Sequence, residues 1–211
     1  MATKNDSSLA SQLSNTLDEE TARSEIYGLI AAVLYAQPAI ELIAQIRVAV
    51  TDAPAAGAFL EEPWRNFVGV TRSMSDQDIK AEYETLFGGV GKPEIYLYGS
   101  HYLSGFLNEK PLARLRTDLI SMGLERSEVM SDTEDHFAYL CEVMRYLIAG
   151  DDVAVANLTR QREFFSTHIQ PWAYQMCDAI QNNPKAKFYA SFAELVRAFI
   201  GIETQGFDML V

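Results

Sequence analysis

Apolar residues recur along this chain at intervals of three and four, and nowhere do they alternate as they would in a half-buried strand. Ile26, Leu29, Ile30, Val33 and Leu34 mark one helical face. Pro38 closes that helix and opens a second through Ile40, Leu42, Ile43, Ile46 and Val50. Between Pro54 and Met74 the spacing repeats in Phe59, Leu60, Trp64, Phe67 and Val68. Thr16 and Glu19 read as a capping box for the first helix. Ser75 with Asp78 starts the helix that carries Ile79, Tyr83, Leu86 and Phe87, and Gly88 ends it in the manner of a C′ glycine.

The pattern then breaks. Gly88, Gly89, Gly91 and Pro93 forbid a regular helix, and Tyr96, Tyr98 and Tyr102 crowd the end of the resulting loop. Periodicity resumes from Pro111 to Met122, stops at Gly123, and returns from about Ser131 to Ala149 with Phe137, Leu140, Cys141, Met144, Leu147 and Ile148. A further helix, capped by Asp151 or Asp152, runs to His168; another starts at Pro171 and ends at Asn182 to Pro184. Phe188, Phe192, Leu195 and Phe199 form a last stripe that must face a core. The expectation is an all-α, single-domain bundle of about eight to nine helices. It spans residues 16–203, between a polar, disordered lead-in over 1–15 and a C-terminal tail over 204–211.

Composition narrows the class. Hydrophobic residues make up 48% and charged residues 22% of 211, the balance of a folded globular protein. A formal charge of -12 repels phosphate backbones and anionic headgroups, so neither nucleic acid nor a membrane surface is an expected partner. The same field attracts a cationic peptide, although acidity also serves plain solubility. No apolar stretch follows Lys4, and no later run approaches the roughly 18 residues of a membrane span, so neither an export signal nor stable membrane insertion is expected. Cys141 and Cys177 fall inside helical patterns and read as reduced thiols, which points to the cytoplasm.

Enzyme signatures are missing: the sequence holds no phosphate loop, no nucleophile elbow, no HExxH and no CxxC. His101, His136 and His168 lie far apart, and no Glu-x-x-His pair occurs, so no metal site and no catalytic residue is expected. Two segments carry recognition chemistry. Tyr96-Leu-Tyr-Gly-Ser-His-Tyr102 offers amphipathic rings on a glycine-loosened loop, suited either to gripping an apolar peptide or to covering helix ends. In Ser131-Asp-Thr-Glu-Asp-His136, either Ser131 with Glu134 or Asp132 with Asp135 forms a helix cap. Alternatively, Asp135 and His136 project into a cleft where a carboxylate meets an arginine.

As an ordered set, these residues resemble the TorD/DmsD/NarJ family of redox-enzyme maturation chaperones, which proofread twin-arginine export signals. Tyr83-x-x-Leu86-Phe87 is similar to the family's aromatic-x-x-Leu-Phe helix end, and Tyr98-Gly99-Ser100-x-Tyr102 to its aromatic-Gly-Ser-x-aromatic segment. Asp132-Thr133-Glu134-Asp135-His136 resembles its Glu-Pro-x-Asp-His motif, with Thr133 in place of proline, and Tyr96 and Leu97 replace the prolines usual before the Gly-Ser segment. His168-x-x-x-Trp172 and Phe188-Tyr189-x-x-x-Ala193-x-Leu195 match the two C-terminal helices.

The resemblance covers about Glu25 to Ile200 and implies a cytoplasmic chaperone, not an enzyme. Its implied partners are the twin-arginine signal peptide and the apo form of a molybdopterin oxidoreductase, assisted in cofactor insertion and folding before export. The implied peptide-binding residues are Tyr83, Leu86, Phe87, Tyr98, Ser100, Tyr102, Asp135 and His136. It also implies a monomer or a domain-swapped dimer, and it allows binding of guanine nucleotide or molybdenum cofactor, for which no motif stands in the sequence. Two alternatives remain: a cofactor-insertion chaperone of the nitrate-reductase type without export proofreading, and a helical enzyme using Asp135 and His136.

Overall fold

A computed structural model describes the backbone of residues 4–18 and the whole of residues 19–51, 59–88, 92–107, 109–126 and 131–209. Among them the chain forms α1 (Lys4–Tyr35), α2 (Ile40–Val48), α3 (Glu61–Ser73), α4 (Asp76–Leu86), α5 (Gly99–Ser104), α6 (Lys110–Ser121), α7 (Phe137–Ala149), α8 (Leu158–Phe164), α9 (Gln170–Gln181) and α10 (Phe188–Asp208). A π-helical turn, Phe165–Ile169, joins α8 to α9 without a break, so these two form one rod. The described residues contain no strand, only an isolated antiparallel bridge between Tyr98 and His136. None of their helices is long and apolar enough to cross a membrane.

Most of the apolar positions read from the sequence pack, but Ile40, Val50 and Phe59 are exposed, and Val50 and Phe59 lie outside α2 and α3. α1 lies along α7, and α10 lies between α3 and α9. Phe188, Phe192, Leu195 and Phe199 are all buried, and the Phe67 ring meets Phe188 at 5.2 Å and Phe192 at 5.0 Å. Two buried ionic clasps lock α10. Glu82 on α4 is 7% exposed and accepts the backbone N–H groups of Lys187 (2.8 Å), Phe188 (3.1 Å) and Tyr189 (2.8 Å), the orphan donors of the α10 N-terminus. Near the other end, Glu203 takes the Arg23 guanidinium of α1 in both oxygens, at 2.7 and 2.8 Å.

Boundaries differ from expectation in several places. α1 extends through residues 4–15, so Thr16 lies inside the helix and not at its start. α10 continues to Asp208 with Phe207 buried, into the stretch expected as a tail. α3 begins at Glu61; residues 54–58 of the expected helix lie outside the described residues. Ser75 caps α4 as read, accepting the Asp78 N–H at 3.1 Å, and Gly123, at φ +72°, stops α6. Gly88 follows α4 without the left-handed backbone of a C′ glycine. α8 starts at Leu158, because the Asn157 side chain, and neither Asp151 nor Asp152, accepts the Arg160 N–H.

Candidate functional site

The sequence motifs converge at the N-terminus of α5. Gly99 N–H donates to the Asp135 carbonyl at 3.0 Å and Phe137 N–H to the Leu97 carbonyl at 2.8 Å, tying two irregular segments side by side. The Asp135 side chain is then spent internally. Its Oδ2 accepts the Ser100 N–H at 2.8 Å, its Oδ1 accepts the Thr133 hydroxyl at 2.6 Å, and the residue is 3% exposed. Asp135 thus satisfies an orphan donor of α5 and is turned into the fold.

His136, equally buried, is the N-cap of α7: its Nδ1 accepts the Ala138 N–H at 3.2 Å. The expected cap at Ser131 or Asp132 is therefore corrected to His136, and residues 131–136 are a turn. Burial lowers the His136 pKa to about 4, against the opposing pull of Asp132 and Asp135. The ring is neutral at pH 7 and, with Nδ1 accepting, carries its proton on Nε2. Asp135 and His136 are both buried, and their side-chain hydrogen bonds are made within the fold.

Gly99 serves a close approach. A Cβ there would stand 3.0 Å from Nε1 of Trp172, which is 1% exposed and donates to the His168 carbonyl at 2.6 Å. Tyr102 stacks on the same indole at 5.5 Å, and its hydroxyl donates to the Tyr96 carbonyl at 2.8 Å. The Gly-Ser segment and the His168-x-x-x-Trp172 segment are two halves of one contact. Ser100 is fully buried.

Tyr83-x-x-Leu86-Phe87 packs toward α10. Leu86 is fully buried, and the Phe87 ring meets Tyr189 edge-on at 4.9 Å. Tyr83 lies between that contact and the surface; its hydroxyl donates to the Tyr35 carbonyl at 3.1 Å, and burial pushes its pKa up to about 12.

One half-buried carboxylate stands among these rings. Asp132 Oδ1 accepts the Tyr98 hydroxyl at 2.5 Å, and its Oδ2 accepts the Ser131 hydroxyl at 2.9 Å. Burial first, and then Asp132, raises the pKa of Tyr83 and Tyr98, whereas Tyr139 is raised by burial and then by its neighbour Tyr35, with Asp132 acting in both directions. Tyr35 and Tyr139 lie ring to ring at 5.6 Å. Tyr139 also lines an apolar cleft of about 250 Å³ whose walls include Leu119, Leu124, Val143 and Tyr146. At its edge Glu134 pairs through both oxygens with Arg116 at 3.0 and 2.8 Å; burial alone would raise the Glu134 pKa, but these bonds bring it below the usual value. A carboxylate flanked by phenol rings and set next to an apolar cleft suits a guanidinium that sits beside an apolar side chain.

Of the residues picked out from sequence, Tyr98, Ser100, Asp135 and His136 thus form one network, and Tyr83 borders the same carboxylate. Tyr102, on α5, stacks on Trp172, and Leu86 and Phe87 lie at the end of α4, with Phe87 against Tyr189 of α10. Sequence reasoning did not single out Asp132 as the half-buried carboxylate beside Tyr98, nor Tyr139 near it, whose ring meets that of Tyr35. The available signal was the placement of Asp132 in the Asp-His motif with Tyr139 three residues beyond it. Among the described residues no three His, Cys, Asp or Glu side chains gather to hold a metal ion.

The model of a family described as nitrate reductase delta subunit matches residues 53–178, the stretch that holds the first three motifs and His168 with Trp172. The chaperone protein TorD of Vibrio parahaemolyticus is 21% identical over 141 residues, which cover 63% of this chain and 66% of that protein. The chaperone protein TorD of Vibrio cholerae is 24% identical over 147 residues, 66% of this chain and 67% of that protein. The matches thus span about two thirds of the length of these relatives.

Proposed function

Because the chain belongs to the TorD/DmsD/NarJ family, that of the nitrate reductase delta subunit, we propose that it is a cytoplasmic maturation chaperone. In this reading it holds the twin-arginine leader of an apo molybdopterin oxidoreductase while the client folds and takes up its cofactor, and it catalyses nothing. The molybdenum cofactor is the client's.

The observation that carries this reading is Asp132: half-buried, oriented by Tyr98 and Ser131, and set among tyrosines near an apolar cleft. A leader arginine pairs with Asp132, and the apolar stretch after it lies over the rings and into the cleft lined by Tyr139. The charge of -12 draws the basic leader in. A leader that is disordered when free costs several kcal/mol to order, so its affinity is modest and its release easy.

Calorimetric titration with a synthetic twin-arginine leader peptide tests the proposal. Asp132→Asn keeps an acceptor for the Tyr98 hydroxyl but removes the charge, and should weaken binding about tenfold or more. Unchanged affinity would remove Asp132 from the site, and no binding by the unmodified protein would remove the leader reading. The description of the matching family supports a second reading, a nitrate-reductase-type chaperone without export proofreading. A leader with both arginines replaced by glutamine decides between them: undiminished binding favours the second.

A further inference from the structure

α1 and α10 run antiparallel, and their shared surface is a groove far along α1 from Tyr35. Its floor is pinned by the Arg23–Glu203 pair, to which Tyr27 adds a hydroxyl bond at 2.9 Å, and by the Tyr27 ring edge-on to Phe199 at 4.8 Å. Two clefts, about 450 and 340 Å³, lie along it and share Ala22, Ile26 and Leu60, so they form one trough. The trough follows α10 from Leu195 to Met209, about 21 Å at the helical rise per residue, or roughly four turns of a partner helix.

The lining is apolar and the rim is acidic. Ile26, Leu29, Leu60, Trp64, Leu195 and Ile202 supply the walls, and Met209 stands 80% exposed at one end. Glu19, Glu20 and Glu25 line the rim, and among the described residues none of them is in an ion pair. The rim cation, Arg23, is held by Glu203 through both side-chain oxygens. A twofold copy of this chain would set those carboxylates against their own kind, and an anionic lipid surface would meet the same repulsion. An amphipathic helix with an apolar stripe flanked by lysine or arginine meets both features.

We infer that this groove is a second docking surface, which takes a basic amphipathic helix of about four turns from a partner protein. It is separate from Asp132 and does not depend on the leader reading. Binding buries the apolar stripe against α1 and α10 and brings the partner's cations to Glu19, Glu20 and Glu25.

The probe is a 15-residue helical peptide of leucine, alanine and lysine with lysines flanking the leucine stripe, and its counterpart has glutamate in place of lysine. Trp64 in the wall is the reporter, since the other tryptophan, Trp172, is 1% exposed. The lysine peptide should bind and shift Trp64 emission to the blue, and Trp64→Phe should abolish that shift. The combined Glu19→Gln, Glu20→Gln and Glu25→Gln variant, surface changes whose folding a thermal melt verifies, should bind at least tenfold more weakly, while Asp132→Asn binds the probe as before. Four results would each overturn the inference: peptide binding without a Trp64 shift, equal affinity in the triple variant, equal affinity for the glutamate peptide, or loss of probe binding in Asp132→Asn. A dimer in light scattering that Leu60→Glu converts to monomer would assign the groove to a second copy and overturn it as well.

Discussion

Asp135 Oδ2 accepts the backbone N–H of Ser100 at 2.8 Å, so a residue of one motif caps the helix that carries another. The Asp-His motif is in this respect a fold device: Asp135 closes α5, and His136 closes α7. Asp135→Ala should leave a buried N–H and the Thr133 hydroxyl without their acceptor, at about 2 kcal/mol, which lowers the melting temperature by roughly 4–8 °C. Asp135→Asn retains an acceptor for Ser100 and should cost under about 1 kcal/mol, with leader affinity unchanged. Thermal melts followed by circular dichroism, with calorimetry on the Asn variant, measure both; a tenfold affinity loss in Asp135→Asn would return the ligand arginine to Asp135.

Glu82 was not singled out from the sequence, although its neighbour Tyr83 was. Its carboxylate receives three N–H groups at the start of α10, the helix whose aromatic stripe fills the core. Glu82→Ala should therefore cost about 3 kcal/mol or more. Glu82→Gln keeps one oxygen and turns an amide donor toward the remaining N–H, so its cost should be intermediate. Urea unfolding gives the order directly, and an Ala variant as stable as the parent would show that water or a shifted backbone serves α10 equally well.

The helical architecture was legible because its cause is periodic: the faces at Ile30 to Leu34 and Phe188 to Phe199 are buried as their spacing required. Starts set by Ser75 or ended by Gly123 were legible because those residues act through common cap chemistry. The start of α7 was not, because its cap is an imidazole nitrogen; Pro171 does mark the first turn of α9, but the π-helical turn Phe165–Ile169 that joins α8 to it was not legible. For the site, the motifs name residues that the fold brings into one network, but the sequence did not tell that Asp135 is turned inward while Asp132 stays half-buried. Asp132 and Asp135 differ by three positions; only the bridge between Tyr98 and His136, a contact far apart in sequence, turns Asp135 inward. Gly99 is explained in the same way, by an indole more than seventy positions away.

Stability should fall between neutral and acid pH, and His136 supplies a definite share. Its folded pKa is about 4, against an ordinary 6.5, because burial disfavours the charged ring. Between those values the unfolded chain binds a proton that the folded ring refuses, so the stabilisation is complete above about pH 6.5 and is lost as pH falls toward 4. At about 1.4 kcal/mol per pH unit for one proton, the loss is on the order of 3 kcal/mol across the window. His168, also lowered by burial against the opposing bond from Asp118, adds in the same direction, whereas a lowered carboxylate such as Glu134 acts only below about pH 4.5. His136→Asn separates these contributions: asparagine still offers an oxygen to the α7 N-terminus but does not titrate. Urea unfolding at intervals from pH 7.5 to 4.5 should show a shallower pH slope in His136→Asn, with a residual slope from His168. An identical slope in the variant and its parent would mean that the His136 ring takes up its proton without leaving the folded state.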